Sequence, residues 1–316
     1  MAGFIARRLG SGLLTLALLS VIAFIGTEIL PGDPARAILG KDASEEAVAN
    51  LTIQLGLDRP PAVRYVDWIG RAVIGDLGTS YAQKAPVTRM IAESGGRSLL
   101  LGLVTLAVVV PLSVVAGLWA ARREGSVVDR IVTFGGMALM VVPGFVVAIV
   151  LILLFGVFVP LFPISAMPPP GADFGERIFH LLLPAVVLSA TLFGYLARVV
   201  RANALEVYRS DYVRTAALKG LSPARVMRRH VFRNAMAPSL IVFATQVGYL
   251  LGGLVVVEKI FNYPGLGVMM LRAAEYSDMP VLEAGIMLIG LSYVLLTLAA
   301  DVAQRLLDPR LRKAVA

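Results

Sequence analysis

Apolar and polar positions alternate along this chain in long blocks rather than with a short amphipathic period. Six windows carry no Asp, Glu, Lys or Arg: Leu9–Thr27, Ser98–Ala121, Ile131–Ala172, Ile178–Ala197, Asn234–Val257 and Ala284–Ala300. A membrane-spanning helix needs roughly 20 apolar residues, and five of the windows fit one helix each. The third is longer, and Pro160, Pro163 and Pro168–Pro170 break it. It reads as one helix over Ile131–Phe158 followed by an extended proline-rich loop. The expected fold class is an all-α integral membrane protein with six spanning helices, since lipid offers no partner to an unpaired peptide group. Pro111, Pro143-Gly144 and Pro184 fall inside the second, third and fourth spans, where they mark hinges or tolerated kinks.

The polar blocks divide the rest. Residues 1–30 hold the N-terminus and first span, read as retained rather than cleaved. Residues 31–97 form the largest extramembrane piece. In it, Ser44–Leu55 and Pro61–Ile74 have helical spacing, Ser44 suits an N-cap, and Gly75–Ser80 reads as a turn. This piece has too few apolar residues to fold alone and is expected to cap the membrane mouth. Tyr65, Trp68 and Trp119 suit interfacial positions. Residues 98–316 carry the other five spans, with a basic stretch at 200–236.

Composition agrees with the block pattern: 58% of the 316 residues are hydrophobic, 16% are charged, and the net charge is +8. There is no cysteine, which excludes disulfides and thiolate metal sites. The charge is uneven. Nine Lys/Arg and only two acids, Glu206 and Asp211, lie in Arg198–Arg233. By the positive-inside rule the basic block and both termini are cytoplasmic, which leaves residues 31–97 outside. Charge confined to short inter-span loops speaks for the inner lipid face and protein partners, not for nucleic acid.

Within the block, Glu206–Lys219 lacks Pro and Gly, and Leu205, Tyr208, Tyr212 and Ala216 fall on one helical face. Gly220 suits a left-handed C-cap, Ser222 an N-cap and Pro223 a first helical position. The spacing predicts two short helices meeting at Gly220, the second running through Arg233 with Arg225, Arg228, Arg229 and Arg233 outward. Ala216 and Ala217 leave a low surface on which another backbone can pack. On physical grounds the block is either such a docking elbow or a solvated loop that only orients the chain. Inside the fifth span, Thr245, Gln246 and Tyr249 are polar groups at membrane depth, which line a pathway or bond between helices. His180 and His230 are too far apart to make a metal site. Glu258, Glu275 and Asp278 are placed near the outer mouth as solvated acids that meet either water or a partner.

Thr215-Ala216-Ala217, three residues, then Gly220 resembles the coupling-loop signature of permease subunits of binding-protein-dependent ABC importers, with Thr where the signature has Glu. Leu30-Pro31-Gly32-Asp33-Pro34, Leu55-Gly56-Leu57-Asp58-Arg59-Pro60, Gly75-Asp76-Leu77-Gly78-Thr79-Ser80, Tyr263-Pro264-Gly265-Leu266-Gly267 and Leu307-Asp308-Pro309-Arg310 resemble the peptide/nickel branch, in order and between the right spans. The resemblance implies a type I importer architecture and a heteromeric assembly. Its partners would be a second, similar permease, two cytoplasmic ATPase subunits and an extracytoplasmic substrate-binding protein. It implies dipeptide or oligopeptide cargo, with nickel complexes, glutathione or another small solute as alternatives. Tyr212, Thr215, Ala216, Ala217, Gly220, Ser222, Pro223 and Arg225 would contact the ATPase. No phosphate-binding Gly-x-x-x-x-Gly-Lys-Ser/Thr occurs here, so no cofactor is expected on this chain, and ATP and Mg would belong to the partners. An intramembrane enzyme would need a catalytic pair or metal ligands at depth, and no such pairing is visible. A self-sufficient channel or secondary transporter would call for intramembrane charge or inverted repeats.

Overall fold

The structure is a computed structural model that describes residues 2–29, 33–40 and 42–307; for a few residues of the last helices only the backbone is described. Those described residues are mostly helical and contain no strand, only an isolated bridge between Thr79 and Pro86. Among the described residues, four helices are long and apolar enough to cross a membrane, or five if one bent pair is a single span.

The chain divides into two compact units. The first comprises residues 1–99 and 264–295. It opens with α1 (Ala2–Ile29) and three short helices, α2 (Pro34–Leu39), α3 (Glu45–Gln54) and α4 (Pro61–Val73). Their starts are chemically specified. Asp33 accepts from the Ala35 and Arg36 amides, Ser44 accepts from the Ala47 amide at 3.2 Å, and Pro61 opens α4. α4 lies against α1: the Tyr65 and Trp68 rings centre 5.4 and 6.3 Å from Phe24, and Arg64 pairs with Glu28 at 2.5 Å. Trp68 is therefore buried in the protein rather than set in an aromatic belt.

The turn after α4 is fastened to the stretch between α13 (Leu266–Glu275) and α14 (Met279–Leu307). Asp278 is fully buried and accepts from the Ser80 hydroxyl, the Tyr81 amide at 2.9 Å and the Ala82 amide at 3.2 Å. It is not the solvated outer acid that its position suggests, and Glu258, in a helix of the second unit, is also fully buried. Burial, with Glu283 and Asp278 nearby, pushes the Tyr81 hydroxyl up to about 12 against the pull of Arg64 and Arg71, so it stays a neutral donor.

The second unit comprises residues 100–263 and 296–316. α5 (Val87–Arg122) enters it from the first, and α6 (Val127–Arg130), α7 (Gly136–Val141), α8 (Gly144–Ile152), α9 (Phe174–Tyr208), α10 (Asp211–Leu218), α11 (Pro223–Val226) and α12 (Phe232–Ile260) follow. π-helical turns at Ile131–Gly135 and Leu153–Phe158 flank α7 and α8. The core gathers Leu101, Leu181, Leu188, Leu250, Leu254 and Phe261. The proline-rich loop is tied down rather than free. The Ala166 amide donates to the Phe261 carbonyl at 2.7 Å, and the His180 ring bonds the Ser165 carbonyl.

The third apolar window is not one straight helix. Val127–Val141 and Gly144–Phe158 meet at 102°. Pro143 has no amide to donate and pushes Val142 to an extended ψ of 124°. α5 and α9 continue through Pro111 and Pro184 without such a break. α7 then lies backbone to backbone on α9. A Cβ on Gly194 would stand 2.0 Å from the Gly136 carbonyl oxygen.

Gly194→Ala is therefore expected to destabilise by at least about 1–3 kcal/mol, because the clash is with backbone that cannot swing away. At Gly135 an added Cβ meets nothing within 4 Å. Gly135→Ala should leave stability unchanged or raise it slightly. Thermal unfolding of the two variants in one detergent decides the matter, and equal midpoints would contradict the close contact.

Candidate functional site

The polar elbow between α9 and α12 is the most strongly shaped feature of the second unit. α9 ends at Tyr208, and the backbone turns at Arg209 and Ser210 before α10 begins. The Ser210 hydroxyl donates to the Val207 carbonyl at 2.5 Å, and Ser210 takes the extended conformation of an N-cap. The stretch Glu206–Lys219 is thus two helices, not one. That break shifts the helical phase. Tyr212, placed on the inner face by an unbroken helix, is half exposed, and Val213 is buried in its stead.

α10 stops where Gly220 adopts φ +78°. The Leu221 amide donates to the Ala216 carbonyl and the Gly220 amide to that of Ala217, which closes the helix end. Leu221 then packs on the cluster formed by Val213, Ala216, Val226, Val231 and Ala235. Ser222 is extended in the N-cap position, although its side chain makes no capping bond, and Pro223 begins α11. From there the backbone stays helical through a π-helical turn at Met227–Val231 straight into α12. The second arm of the elbow is therefore the start of the long apolar helix, not a separate short one.

The eight predicted docking residues part into three groups. Ala216 faces inward and holds α10 to α9. Tyr212, Thr215, Ala217, Gly220, Ser222 and Pro223 are exposed, as is Leu218 at 81%. The Thr215 hydroxyl is satisfied by the Asp211 carbonyl at 2.8 Å. Arg225 is exposed beside Arg228, Arg229 and Arg233. The outer face around Gly220 thus mixes Ala217, Leu218, Lys219, Ser222 and Pro223, with no side chain at the corner itself.

The predicted polar group in α12 is less concentrated. Thr245 is exposed and its hydroxyl bonds the Val242 carbonyl; Gln246 is half-buried; the Tyr249 side chain lies outside the described part.

Sequence reasoning missed the brace under the elbow. Asp129, in α6, is buried and bonded to both Nε and Nη2 of Arg201, the latter at 2.7 Å. It also accepts from the Gly125 amide at 2.9 Å. Arg201 lies two turns before the end of α9, so the pair fixes the α5–α6 turn to the helix that carries the elbow. Arg209 and Glu124 pair at 2.8 Å between the same segments, but both are exposed and contribute little. An acid among the arginines of a short polar segment is the only sequence signal, and its partner is 72 residues away.

Residues 113–313 match the family described as binding-protein-dependent transport system inner membrane component. Residues 1–96 match the N-terminal region of a binding-protein-dependent transport system membrane component. A probable peptide ABC transporter permease protein of Sinorhizobium fredii is 35% identical over 313 residues, covering 99% of this chain and 100% of that protein. A glutathione transport system permease protein of Escherichia coli K12 is 35% identical over 312 residues, 99% of each chain.

Arg201→Ala leaves Asp129 buried without its counter-charge and is expected to cost about 3–5 kcal/mol. The Asp129→Leu/Arg201→Leu double variant removes both charges and should recover part of that loss. Unfolding midpoints of the single and double variants test this. A double variant less stable than the single one would remove the brace.

Proposed function

Because this chain belongs to the family of binding-protein-dependent transport system inner membrane components, we propose how its parts divide the work of import. It is a non-catalytic permease subunit of an ATP-binding-cassette importer in the bacterial inner membrane. In this reading the six apolar windows cross the bilayer, with the bent pair α7–α8 counted as one span and α12 as the fifth. Both termini and the elbow face the cytoplasm, and residues 31–97 cap the outer mouth. Eighteen Lys/Arg then fall in the cytoplasmic segments.

The observation that carries the mechanism is the elbow itself. Its corner is a left-handed glycine with no side chain, preceded by exposed Ala217, Leu218 and Lys219 and leading through α11 into α12. Such a corner accepts a groove of another protein, and a push on it moves α12 as a rigid rod. Two cytoplasmic ATPase subunits supply that push, one to this chain and one to a second, similar permease. Their closure drives alternating access between the outer and inner mouths, a two-state rigid-body switch. Thr215 takes the place of the signature acid, so contact at that position is by packing and not by charge. Thr245, Gln246 and Tyr249 line the path in this reading. An extracytoplasmic binding protein delivers the cargo and does most of the selecting.

Peptides are the cargo class that the relatives' names favour. Glutathione, itself a short peptide, is the second reading, supported by the relatives named for it.

Uptake of a labelled dipeptide into liposomes should require this chain, the second permease, the ATPase pair and the binding protein together. Uptake by this chain alone would end the importer reading. Gly220→Val forces a β-branched residue into a left-handed conformation, at roughly 1–2 kcal/mol. It should lower uptake per ATP hydrolysed by roughly 5–30-fold while membrane insertion is kept. Normal coupling in that variant would count against docking at the corner.

A further inference from the structure

Four arginines, Arg225, Arg228, Arg229 and Arg233, line an open cleft of about 620 Å³ together with Ala224. Among the described residues, no hydrogen bond or ion pair engages any of the four guanidinium groups. Like charges four residues apart on a helix repel one another, so such a cluster is destabilising on its own.

The backbone aligns the cluster. In an ordinary α-helix eight residues advance about 800°, so Arg225 and Arg233 would diverge by about 80°. The π-helical turn at Met227–Val231 lies between them and widens the path by part of a residue. The result is a row on one face, opposite buried Val226, Val231 and Ala235.

The position of the row along the helix identifies its partner. Asn234 begins a stretch free of Asp, Glu, Lys and Arg that runs to Val257. At 1.5 Å per residue, Arg233 sits at the edge of that apolar stretch, Arg229 about 6 Å below and Arg225 about 12 Å below. Headgroups occupy about 5–7 Å of each leaflet, and the arginine stems can snorkel along them. The guanidinium fork matches a phosphodiester in geometry and charge. The face at Gly220 meets this row at Arg225, and Arg228, Arg229 and Arg233 lie farther along the chain toward α12.

We infer that Arg228, Arg229 and Arg233, with Arg225 at the aqueous edge, form a site for the headgroup phosphate of an anionic phospholipid. This rests on the membrane topology proposed above, and neither on the cargo nor on ATPase docking.

The test is native mass spectrometry of the full chain in detergent with equal amounts of phosphatidylglycerol and phosphatidylcholine. The unaltered chain should retain phosphatidylglycerol preferentially. Each arginine in the layer is expected to contribute about fivefold. Arg228→Gln/Arg229→Gln/Arg233→Gln should abolish the preference, and Arg122→Gln/Arg123→Gln, in another loop, should keep it. A triple variant with the unaltered preference overturns the site, as does a control that loses as much. The site is also overturned if the triple variant loses co-purifying ATPase subunits while its lipid preference stands. If the triple variant does not fold, Arg229→Gln alone carries the test, with about a fivefold loss expected and no loss overturning it. Because the readout needs no transport, failure of the cargo reading leaves it intact.

Discussion

A peptide group at membrane depth has nothing to bond with except its own chain, and this requirement shapes the whole molecule. It keeps strands out of the apolar windows and confines loop to the proline-rich end of the third and the break at Pro143. It also makes each interruption costly, so interruptions concentrate where the sequence compels them. Pro143 is one, and the bend of 102° follows from its missing amide and its effect on Val142. Where helices need no interruption they run unusually long, as in the 36 residues of α5 and the 35 of α9.

Between apolar helices in apolar surroundings, burial of greasy surface gives little preference for one neighbour over another. Specific position then depends on close backbone contact and on a few polar bonds. Gly136 on Gly194 supplies the first kind. Asp129 with Arg201 and Asp278 with the Ser80 turn supply the second, one in each unit. Both acids sit at element ends, where one carboxylate also satisfies backbone amides that would otherwise lack a partner. The pairings therefore hold the loops as firmly as they hold the helices.

Much of this was legible in the chain. Windows without charge located the long helices. Ser44 announced α3, the spacing from Pro61 announced α4, and Gly220-Leu221-Ser222-Pro223 announced the corner, whereas α2 behind Asp33 was not read. The illegible parts depended on distant or competing partners. Pro111, Pro143 and Pro184 look alike in sequence, yet only Pro143 breaks its helix. Good helix formers around Arg209 and Ser210 hid a break that the Ser210 hydroxyl marks. Asp129 and Asp278 read as ordinary loop acids because their partners lie 72 and about 197 residues away. Tyr212 and Val213 exchanged places for a related reason: one turn decides the phase of everything after it.

The π-helical turn at Met227–Val231 has a mechanical consequence. It is the only wide turn between the corner at Gly220 and the apolar body of α12. Removal of a single residue there would restore ordinary winding, and the extra rotation of the remaining residues would offset most of the roughly 100° lost with the deleted one. The wide turn thus absorbs one residue of difference while the corner keeps its direction. Lineages that lose one position in this turn would still present the same surface in nearly the same direction.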